Sequence, residues 1–159
     1  MNNKDLSTMI DDVKLNIRVG AIIKYQDKIL LEKNKNVNFG VIPGGRIKTL
    51  ENSITSLIRE IEEEIGINIK NENFELISLI ENFFTFNNNN YHELYFVYKI
   101  KLQNKYEIKN EMPNLDNKDA KYYLLTKEEF QNENIMPTVL KEIINNKKFK
   151  HYIIDEINK

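Results

Sequence analysis

The stretch from Pro43 to Gly66 places a turn, an amphipathic helix and a helix end in direct succession. Pro43, Gly44 and Gly45 stop any preceding strand, because proline lacks an amide hydrogen and glycine adopts conformations closed to other residues. The aliphatic residues that follow recur at the spacing of one helix face, and they are Ile54, Leu57, Ile58, Ile61 and Ile65. We therefore predict a helix from Glu51 to Ile65 that ends at Gly66 and packs its aliphatic stripe against another layer.

The same helix carries an acidic face beside its aliphatic stripe. With the first isoleucine set at zero on an ideal helix, Glu60, Glu63 and Glu64 fall at about 240°, 180° and 280°. Like charges at this spacing cost a few tenths of a kcal/mol per pair, so a compensating partner is expected. Hard Mg²⁺ or Mn²⁺ suits carboxylate oxygens and can bridge to phosphate oxygens. The alternative is a solvated surface, which explains most runs of charge.

The composition limits what the rest of the chain can do. With 159 residues, 41% of them hydrophobic, residues 1–159 suffice for one compact domain. The 23 Lys and Arg against 24 Asp and Glu give a net charge of -1, which argues against bulk nucleic-acid binding. The chain has no Cys, so disulfides and thiolate nucleophiles are excluded, and this fits a reducing compartment. We find no signal-peptide core and no apolar run long enough to span a bilayer, and expect a cytoplasmic protein without a membrane partner.

Strand patterns surround the helix. We predict a hairpin that turns near Gln26 and Asp27, and a long antiparallel pair formed by residues 74–86 and 91–102. The second strand of that pair alternates so that Glu93 falls on its polar face, which predicts a half-buried strand. The remaining predictions are a loop over residues 103–118, a short strand at residues 121–125, a capping box from Thr126 to Glu129 and a last helix opened by Pro137. Such a mixture favours an α/β or α+β fold in which helices cover a mixed sheet.

The spacing of the charged residues resembles a known family signature. Gly45, Glu51 and the run Arg59-Glu60-Ile61-Glu62-Glu63-Glu64-Ile65-Gly66-Ile67 match every defined position of the Nudix box, G-x5-E-x7-R-E-U-x-E-E-x-G-U, in which U is aliphatic. The chain is therefore identified as a member of the Nudix hydrolase family, with a resemblance that covers residues 15–147. It implies an α/β/α sandwich built around a central mixed sheet.

The resemblance also implies an activity and a set of site residues. Family members use Mg²⁺ or Mn²⁺ to hydrolyse a nucleoside diphosphate linked to another moiety, by attack of water on a phosphorus of the pyrophosphate. Such ions neutralise the phosphates and lower the pKa of the attacking water. By position, Glu60 and Glu64 match the principal metal ligands, Glu63 a further ligand or the base, the Gly45 carbonyl a backbone ligand, and Arg59 and Glu51 the pair that orients the catalytic carboxylate.

Residues outside the box are candidates for substrate contact. Arg46 and Lys48 follow the glycines, where they could meet substrate phosphates. Glu93, beside His92, or Glu111 in the long loop could supply a further metal ligand or the base. For each of these the alternative is an ordinary surface residue. The aromatic residues Phe83, Phe84, Tyr91 and Tyr95 either stack on a base or fill the core.

Two other functions of the same fold stay open. A catalytically silent nucleotide-binding or sensor module usually loses box carboxylates or gains a DNA-binding domain, and this chain does neither. An isomerase acting on a prenyl diphosphate would normally require a Cys. The markers of ADP-ribose and dinucleoside polyphosphate hydrolases do not appear after the box, so the expected substrate is a nucleoside triphosphate, a nucleotide sugar or a similar small molecule. The sequence is equally compatible with a monomer and a homodimer.

Overall fold

The structure is a computed structural model that describes residues 2–159. In that part of the chain the strands are β1 (Ser7–Ile10), β2 (Val13–Tyr25), β3 (Lys28–Asn34), β4 (Gly40–Val41), β5 (Gly44–Arg46), β6 (Glu75–Phe86), β7 (Asn89–Lys101), β8 (Glu111–Pro113), β9 (Ala120–Leu125) and β10 (Lys150–Asp155). The helices are α1 (Ser53–Ile65), α2 (Lys127–Asn132) and α3 (Leu140–Ile143). None of the helices within residues 2–159 has both the length and the apolar character needed to cross a bilayer.

The strands form one mixed sheet that opens in its middle. Its order is β10-β6-β7-β2-β3-β9-β8, in which β2 lies parallel to β7 and β10 lies parallel to β6. The central strand β2 pairs with β3 only through Lys24 and Tyr25. Earlier along its length β2 pairs instead with β1 and with β5, which contains Gly44 to Arg46. The glycine pair is thereby inserted into the opening between β2 and the outer half of the sheet.

Helices cover both faces of this sheet. On one face α1 contributes Leu57 and Ile61 to a core cluster, and on the other α2 contributes Phe130 and α3 contributes Leu140. These layers confirm the expected α/β/α sandwich around a central mixed sheet. Strand β7 contributes Tyr98 and Ile100 to the first cluster, and Tyr95 and Val97 to the second. The prediction of a half-buried strand is therefore wrong for β7, because helices cover both of its faces.

Helix α1 keeps the predicted end but starts later. Its N-cap is Asn52, whose side chain accepts a hydrogen bond from the Thr55 amide at 2.8 Å, so the helix begins at Ser53 and not at Glu51. Gly66 ends the helix with a φ of 81°, a left-handed conformation that glycine adopts without a steric penalty. Leu57 and Ile61 are fully buried, whereas Ile54 in the first turn is 37% exposed and leaves the stripe.

Several peripheral elements differ from the sequence-based expectations. The predicted loop over residues 103–118 contains the short strand β8, and the edge strands β1 and β10 were not predicted. The last helix is shorter than expected, since only Leu140–Ile143 are helical after Pro137. The hairpin turn at Gln26 and Asp27 and the capping box between Thr126 and Glu129 are both confirmed. Only β10 depends on pairing over a long chain separation, with β6, whereas β1 and β8 pair with the next strand along the chain. Strands β1 and β8 are short and largely exposed, so no apolar alternation marked them in the sequence.

Candidate active site

A two-point ion pair between Arg59 and Glu51 fixes helix α1 to its preceding loop. Arg59 Nε donates to Glu51 Oε1 at 2.8 Å, and Nη2 donates to Oε2 at 2.9 Å. Nη2 also donates to the carbonyl oxygen of Arg46 at 3.1 Å, which ties the helix to β5. The hydrogen bonds from Arg59 lower the pKa of Glu51 to about 2. Both side chains are largely buried, so this pair is a rigid part of the structure.

Glu60 lies directly against the backbone of Gly45. A Cβ added at Gly45 would stand 2.5 Å from Glu60 Oε2 and 2.6 Å from Oε1, so only glycine leaves room for the carboxylate. The remaining guanidinium nitrogen of Arg59, Nη1, donates to Glu60 Oε1 at 2.7 Å. Burial raises the pKa of Glu60 against the opposing effect of Arg59. The structure thus holds a poorly hydrated carboxylate beside the second glycine of the turn.

Glu64 lies one helical turn further on and is bound from the other half of the sheet. The Tyr122 hydroxyl on β9 donates a short hydrogen bond to Glu64 Oε2. Burial raises the pKa of Glu64 to about 8, and the charges of Glu32 and Glu60 add to this effect. Glu32 itself accepts a hydrogen bond from Asn114 Nδ2 at 2.8 Å. Glu64 therefore lies near enough to Glu60 of α1 and Glu32 of β3 for their charges to act on it.

Glu63 is the outermost of the three predicted helix carboxylates. Its side chain is 43% exposed and contacts Arg59 Nη1 only at 3.4 Å. Within residues 2–159 no group of three or more His, Asp or Glu side chains stands ready to enclose a metal ion. The convergence of Glu60, Glu63 and Glu64 on one ion, as the helix geometry suggested, is therefore not preformed. Glu60 and Glu63 both accept from Arg59 Nη1, whereas Glu64 accepts from the Tyr122 hydroxyl.

The cleft nevertheless has the chemistry of a site for a hard cation. A cavity of about 320 Å³ is lined by Asp5, Asn16, Arg18, Gly44, Gly45, Arg46, Glu60 and Glu64. Burial disfavours the charged form of both glutamates, and a cation would offset that cost. Mg²⁺ retains several waters and takes only a few carboxylate ligands from the protein, so it does not require a complete protein cage. The residues present fit a hydrated Mg²⁺ or Mn²⁺.

The predicted substrate residues lie in different places. Arg46 lines the cleft, and its side chain is 3.6 Å from Asp5 Oδ2. Lys48 contributes through its backbone amide, which donates to Glu51 Oε2 at 3.1 Å. Glu93 is buried, only 3% exposed, and lines a second cavity. Glu111 is exposed, pairs with Lys121 at 2.8 Å and lines neither cavity, so the structure does not bring it to the site.

The second cavity adjoins the cleft and is partly aromatic. It has a volume of about 330 Å³ and shares Asn16, Arg18 and Arg46 with the cleft. Phe84 and Tyr91 line it and stack with ring centroids 4.8 Å apart, whereas Tyr95 belongs to the core cluster. Phe83 packs edge-on against His92 and is not in the lining. The aromatic residues are therefore divided between the cavity and the packed interior.

Sequence reasoning missed Arg18 and Tyr122. Arg18 stands on β2 at the junction of the two cavities, and within residues 2–159 no carboxylate oxygen lies within 4.0 Å of its guanidinium. Burial alone would lower the pKa of Arg18, but the surrounding charges, led by that of Glu93, raise it. No distinct signal marked Arg18 in the sequence, because Lys14 and Asn16 precede it at the same alternating spacing on β2. Tyr122 gave no signal either.

Comparison with known proteins agrees with this geometry. The NUDIX domain model matches residues 14–144. A MutT protein from Bacillus halodurans has a similar structure, with a TM-score of 0.69, 18% identity and coverage of 86% of each chain. A MutT NUDIX hydrolase from Burkholderia pseudomallei gives a TM-score of 0.62 and 22% identity, and the match covers 80% of this chain and 95% of that one.

A more distant source gives the same fold. The MutT protein from Methanosarcina mazei has a TM-score of 0.62 and 16% identity over 85% of this chain and 93% of its own. No curated protein shows significant sequence similarity to this chain. The family model spans most of the chain and includes the whole segment from Gly45 to Gly66. The chain belongs to the Nudix family.

Proposed function

We propose that this protein is a metal-dependent pyrophosphohydrolase acting on a nucleoside diphosphate linked to another moiety. The observation that carries the proposal is the pair Glu60 and Glu64, two half-buried carboxylates one helical turn apart on the cleft that Gly45 also lines. Two such carboxylates in one poorly hydrated cleft are costly unless a cation accompanies them. Membership of the Nudix family supports hydrolase activity. The two carboxylates of the cleft support a divalent cation, which suits hydrolysis of a pyrophosphate bond.

Glu60, Glu64 and the Gly45 carbonyl would hold the divalent ion. Bound there, Mg²⁺ or Mn²⁺ supplies neutralisation of the phosphate charge and acidification of the attacking water. Glu63, exposed at the edge of the same helix, is available as a further ligand or as the base that accepts the proton from that water. The bond that forms joins water oxygen to phosphorus, and the bond that breaks joins that phosphorus to the bridging oxygen.

Other residues position the groups around that step. Arg59 spans Glu51, Glu60 and the Arg46 carbonyl, so it fixes the helix, the glycine turn and one carboxylate relative to one another. Arg18 and Arg46 line both the cleft and the adjoining cavity, where two guanidinium groups suit a chain of phosphates. Fixed charges of this kind contribute to phosphoryl transfer by placement and electrostatic stabilisation.

The test is a substrate screen followed by product identification. Nucleoside triphosphates, dinucleoside polyphosphates, nucleotide sugars and ADP-ribose are incubated with Mg²⁺ or Mn²⁺, and the products are separated by chromatography. We expect one class to be cleaved at its pyrophosphate and turnover to stop in excess chelator. Full turnover in chelator would contradict the metal mechanism. Tight nucleotide binding without turnover of any substrate would favour the silent sensor module instead.

A further inference from the structure

A row of polar side chains crosses four neighbouring strands beside the aromatic cavity. The register pairs Ser7 with Asn16, Asn16 with Glu93, and Glu93 with Asn82. Directly paired residues point to the same face of a sheet, so the row lies on one face. That face is the one on which Tyr95 and Val97 pack beneath α2 and α3. A row of polar side chains at the end of an apolar face contributes hydrogen-bonding groups and little apolar packing.

Glu93 is the member of this row whose carboxylate accepts no hydrogen bond from the part of the chain that the structure describes, although its charge acts on the neighbouring Arg18 guanidinium. Its residue is 3% exposed, and no side chain or amide within residues 2–159 donates a hydrogen bond or an ion pair to its carboxylate. The neighbouring Asn16 is 3% exposed and Asn82 is 7% exposed, and both line the same cavity. Asn16 Oδ1 accepts from the Ser7 hydroxyl, which leaves its amide group available to donate. No buried side-chain oxygen within residues 2–159 lacks a hydrogen-bond partner, so the Glu93 carboxylate oxygens are open to the cavity and can accept from a ligand that carries N–H donors.

The surroundings of Glu93 define the shape of that ligand. On one side lies the stacked pair Phe84 and Tyr91, whose rings are inclined by only 4°. On the other side Arg18 connects the cavity to the cleft that contains Glu60 and Glu64. A molecule that reaches from one to the other has a flat aromatic end with N–H donors and an anionic end at the cleft. A nucleotide has this layout.

Hydrogen-bonding chemistry then distinguishes among the bases. An ionised carboxylate only accepts hydrogen bonds, so it prefers an edge that presents two adjacent donors. Guanine offers N1–H and N2–H₂ side by side, with the O6 acceptor next to them for an asparagine amide. Adenine presents its one exocyclic amino group beside a ring acceptor, and cytosine does the same. Uracil places N3–H between two carbonyl oxygens, and a carboxylate repels both of these oxygens.

We propose that Glu93 selects guanine nucleotides by accepting hydrogen bonds from N1–H and N2–H₂ of the base. This inference rests on the proposed function for the position of the phosphates and names the substrate class of the same site. An asparagine of the row, Asn16 or Asn82, donates to O6, and the aromatic pair flanks the base. Glu93 is thereby assigned to recognition of the nucleoside, and not to the metal or to the proton of water.

The experiment measures nucleotide binding by calorimetry without metal and without turnover. The intact protein is titrated with GMP, IMP, AMP, CMP and UMP. IMP keeps N1–H and O6 but lacks the N2 amino group, so it tests one of the two donors alone. We expect GMP to bind about 10-fold or more tighter than IMP, since one hydrogen bond to a charged group is lost. AMP, CMP and UMP are expected to bind more weakly still.

Two substitutions then assign the preference to one side chain. Glu93→Gln is expected to reduce the preference for GMP over AMP at least 10-fold, because an amide presents one donor and one acceptor in place of two acceptors. Glu107→Gln removes the same charge from an exposed residue that lines neither cavity, and should leave the preference unchanged. The comparison of GMP with IMP on the unaltered protein needs no variant and so does not depend on how Glu93→Gln folds.

The outcomes separate this inference from the proposed function. Equal binding of all five nucleotides, or a preference that survives in Glu93→Gln, would overturn the assignment of Glu93 while leaving pyrophosphate hydrolysis intact. A fall in kcat at unchanged KM and unchanged base preference would assign Glu93 to the chemical step and also overturn it. GMP selectivity in a protein that hydrolyses nothing would support the base assignment and contradict the proposed function.

Discussion

The Glu60 carboxylate occupies the space that a side chain at Gly45 would fill. The two residues are 15 positions apart in the sequence. Strand β5 and helix α1 bring them together, and Arg59 fixes both through the Arg46 carbonyl and through Glu60 Oε1. The glycine is therefore required by a close approach and not by backbone conformation, since its φ is not in the left-handed region. This close approach sets the position of the carboxylate on which the proposed chemistry depends.

Gly45→Ala should displace the carboxylate without unfolding the protein. The three atoms nearest to the added methyl group all belong to the flexible carboxyl end of Glu60, so the side chain can move aside. We expect a change in unfolding free energy of less than about 1 kcal/mol. Misplacement of a catalytic group by about 1 Å costs on the order of 10² in rate, and we expect kcat to fall by about that factor. Unchanged turnover in a folded variant would show that the position of Glu60 is not critical.

The Glu51–Arg59 pair predicts a defined dependence of stability on pH. Arg59 lowers the pKa of Glu51 from 4.5 to about 2 in the folded protein. A carboxylate with a lowered pKa stabilises the fold above its unfolded pKa, and this contribution is lost as pH falls towards the folded pKa. The free energy of unfolding lost in Glu51→Gln should therefore be greatest above pH 5, about 3 kcal/mol, and should shrink steadily as pH falls towards 2.

Denaturant unfolding of both proteins between pH 3 and pH 7 measures that difference. Glu62→Gln is the matched control, because it changes an exposed carboxylate on the same helix that has no ion-pair partner within residues 2–159. Its effect should be small and independent of pH. A pH-independent difference for Glu51→Gln would mean that the fold does not depend on the ionised pair.

Tyr122 should matter for metal affinity more than for stability. Its hydroxyl donates to Glu64 from a fully buried position on β9, and so orients a proposed metal ligand. Loss of such a supporting hydrogen bond typically weakens metal binding 10- to 100-fold. We expect Tyr122→Phe to raise the Mg²⁺ concentration for half-maximal turnover by about that factor.

Tyr123→Phe provides the control for this measurement. Tyr123 is the next residue on β9, and its ring lies near Lys33 Nζ, 5.4 Å away, and outside the cleft. A Mg²⁺ titration of turnover should give the same midpoint for Tyr123→Phe as for the unaltered protein. Equal midpoints for both variants would remove Tyr122 from the site.

The sequence predicted most about those site residues that lie close together along the chain. Gly45, Glu51, Arg59, Glu60 and Glu64 all belong to one helix and the turn before it, so their spacing alone determines which of them can meet. The prediction of the buried helix stripe was less accurate, because Ile54 lies in the exposed first turn of α1. The roles assigned to the box residues stay predictions, although the structure places Gly45, Glu60 and Glu64 around one cleft.

The rest of the site comes from strands that are distant in sequence. Arg18 on β2 and Tyr122 on β9 reach the cleft through long-range pairing, for which no spacing rule exists. The alternation of its strand predicts a polar face for Glu93, yet that face is packed against α2 and α3 at Tyr95 and Val97, and Glu93 itself is only 3% exposed. Glu111 looked equivalent in sequence but lies on the exposed surface. Burial, which decides between these two glutamates, depends on tertiary packing alone.

The most direct test of the central claim compares turnover and thermal stability in three variants of α1. Glu60→Gln and Glu64→Gln keep side-chain size, so the metal-free protein should be as stable as before or more so, because burial disfavours both charges. Glu62→Gln is again the control. With the best substrate and saturating Mg²⁺, we expect the first two to lose turnover by on the order of 10² or more. The control should retain turnover.

Ile61→Ala supplies the opposite contrast, since the loss of a fully buried side chain should cost about 2–5 kcal/mol of stability without changing the cleft carboxylates. The decisive measurement is kcat for Glu60→Gln and Glu64→Gln at a temperature where all variants are folded. A fall of on the order of 10² in both, with thermal midpoints preserved, is the result that metal-dependent hydrolysis predicts. Near-normal kcat in both would contradict it, because the two carboxylates would then be no more than a polar surface.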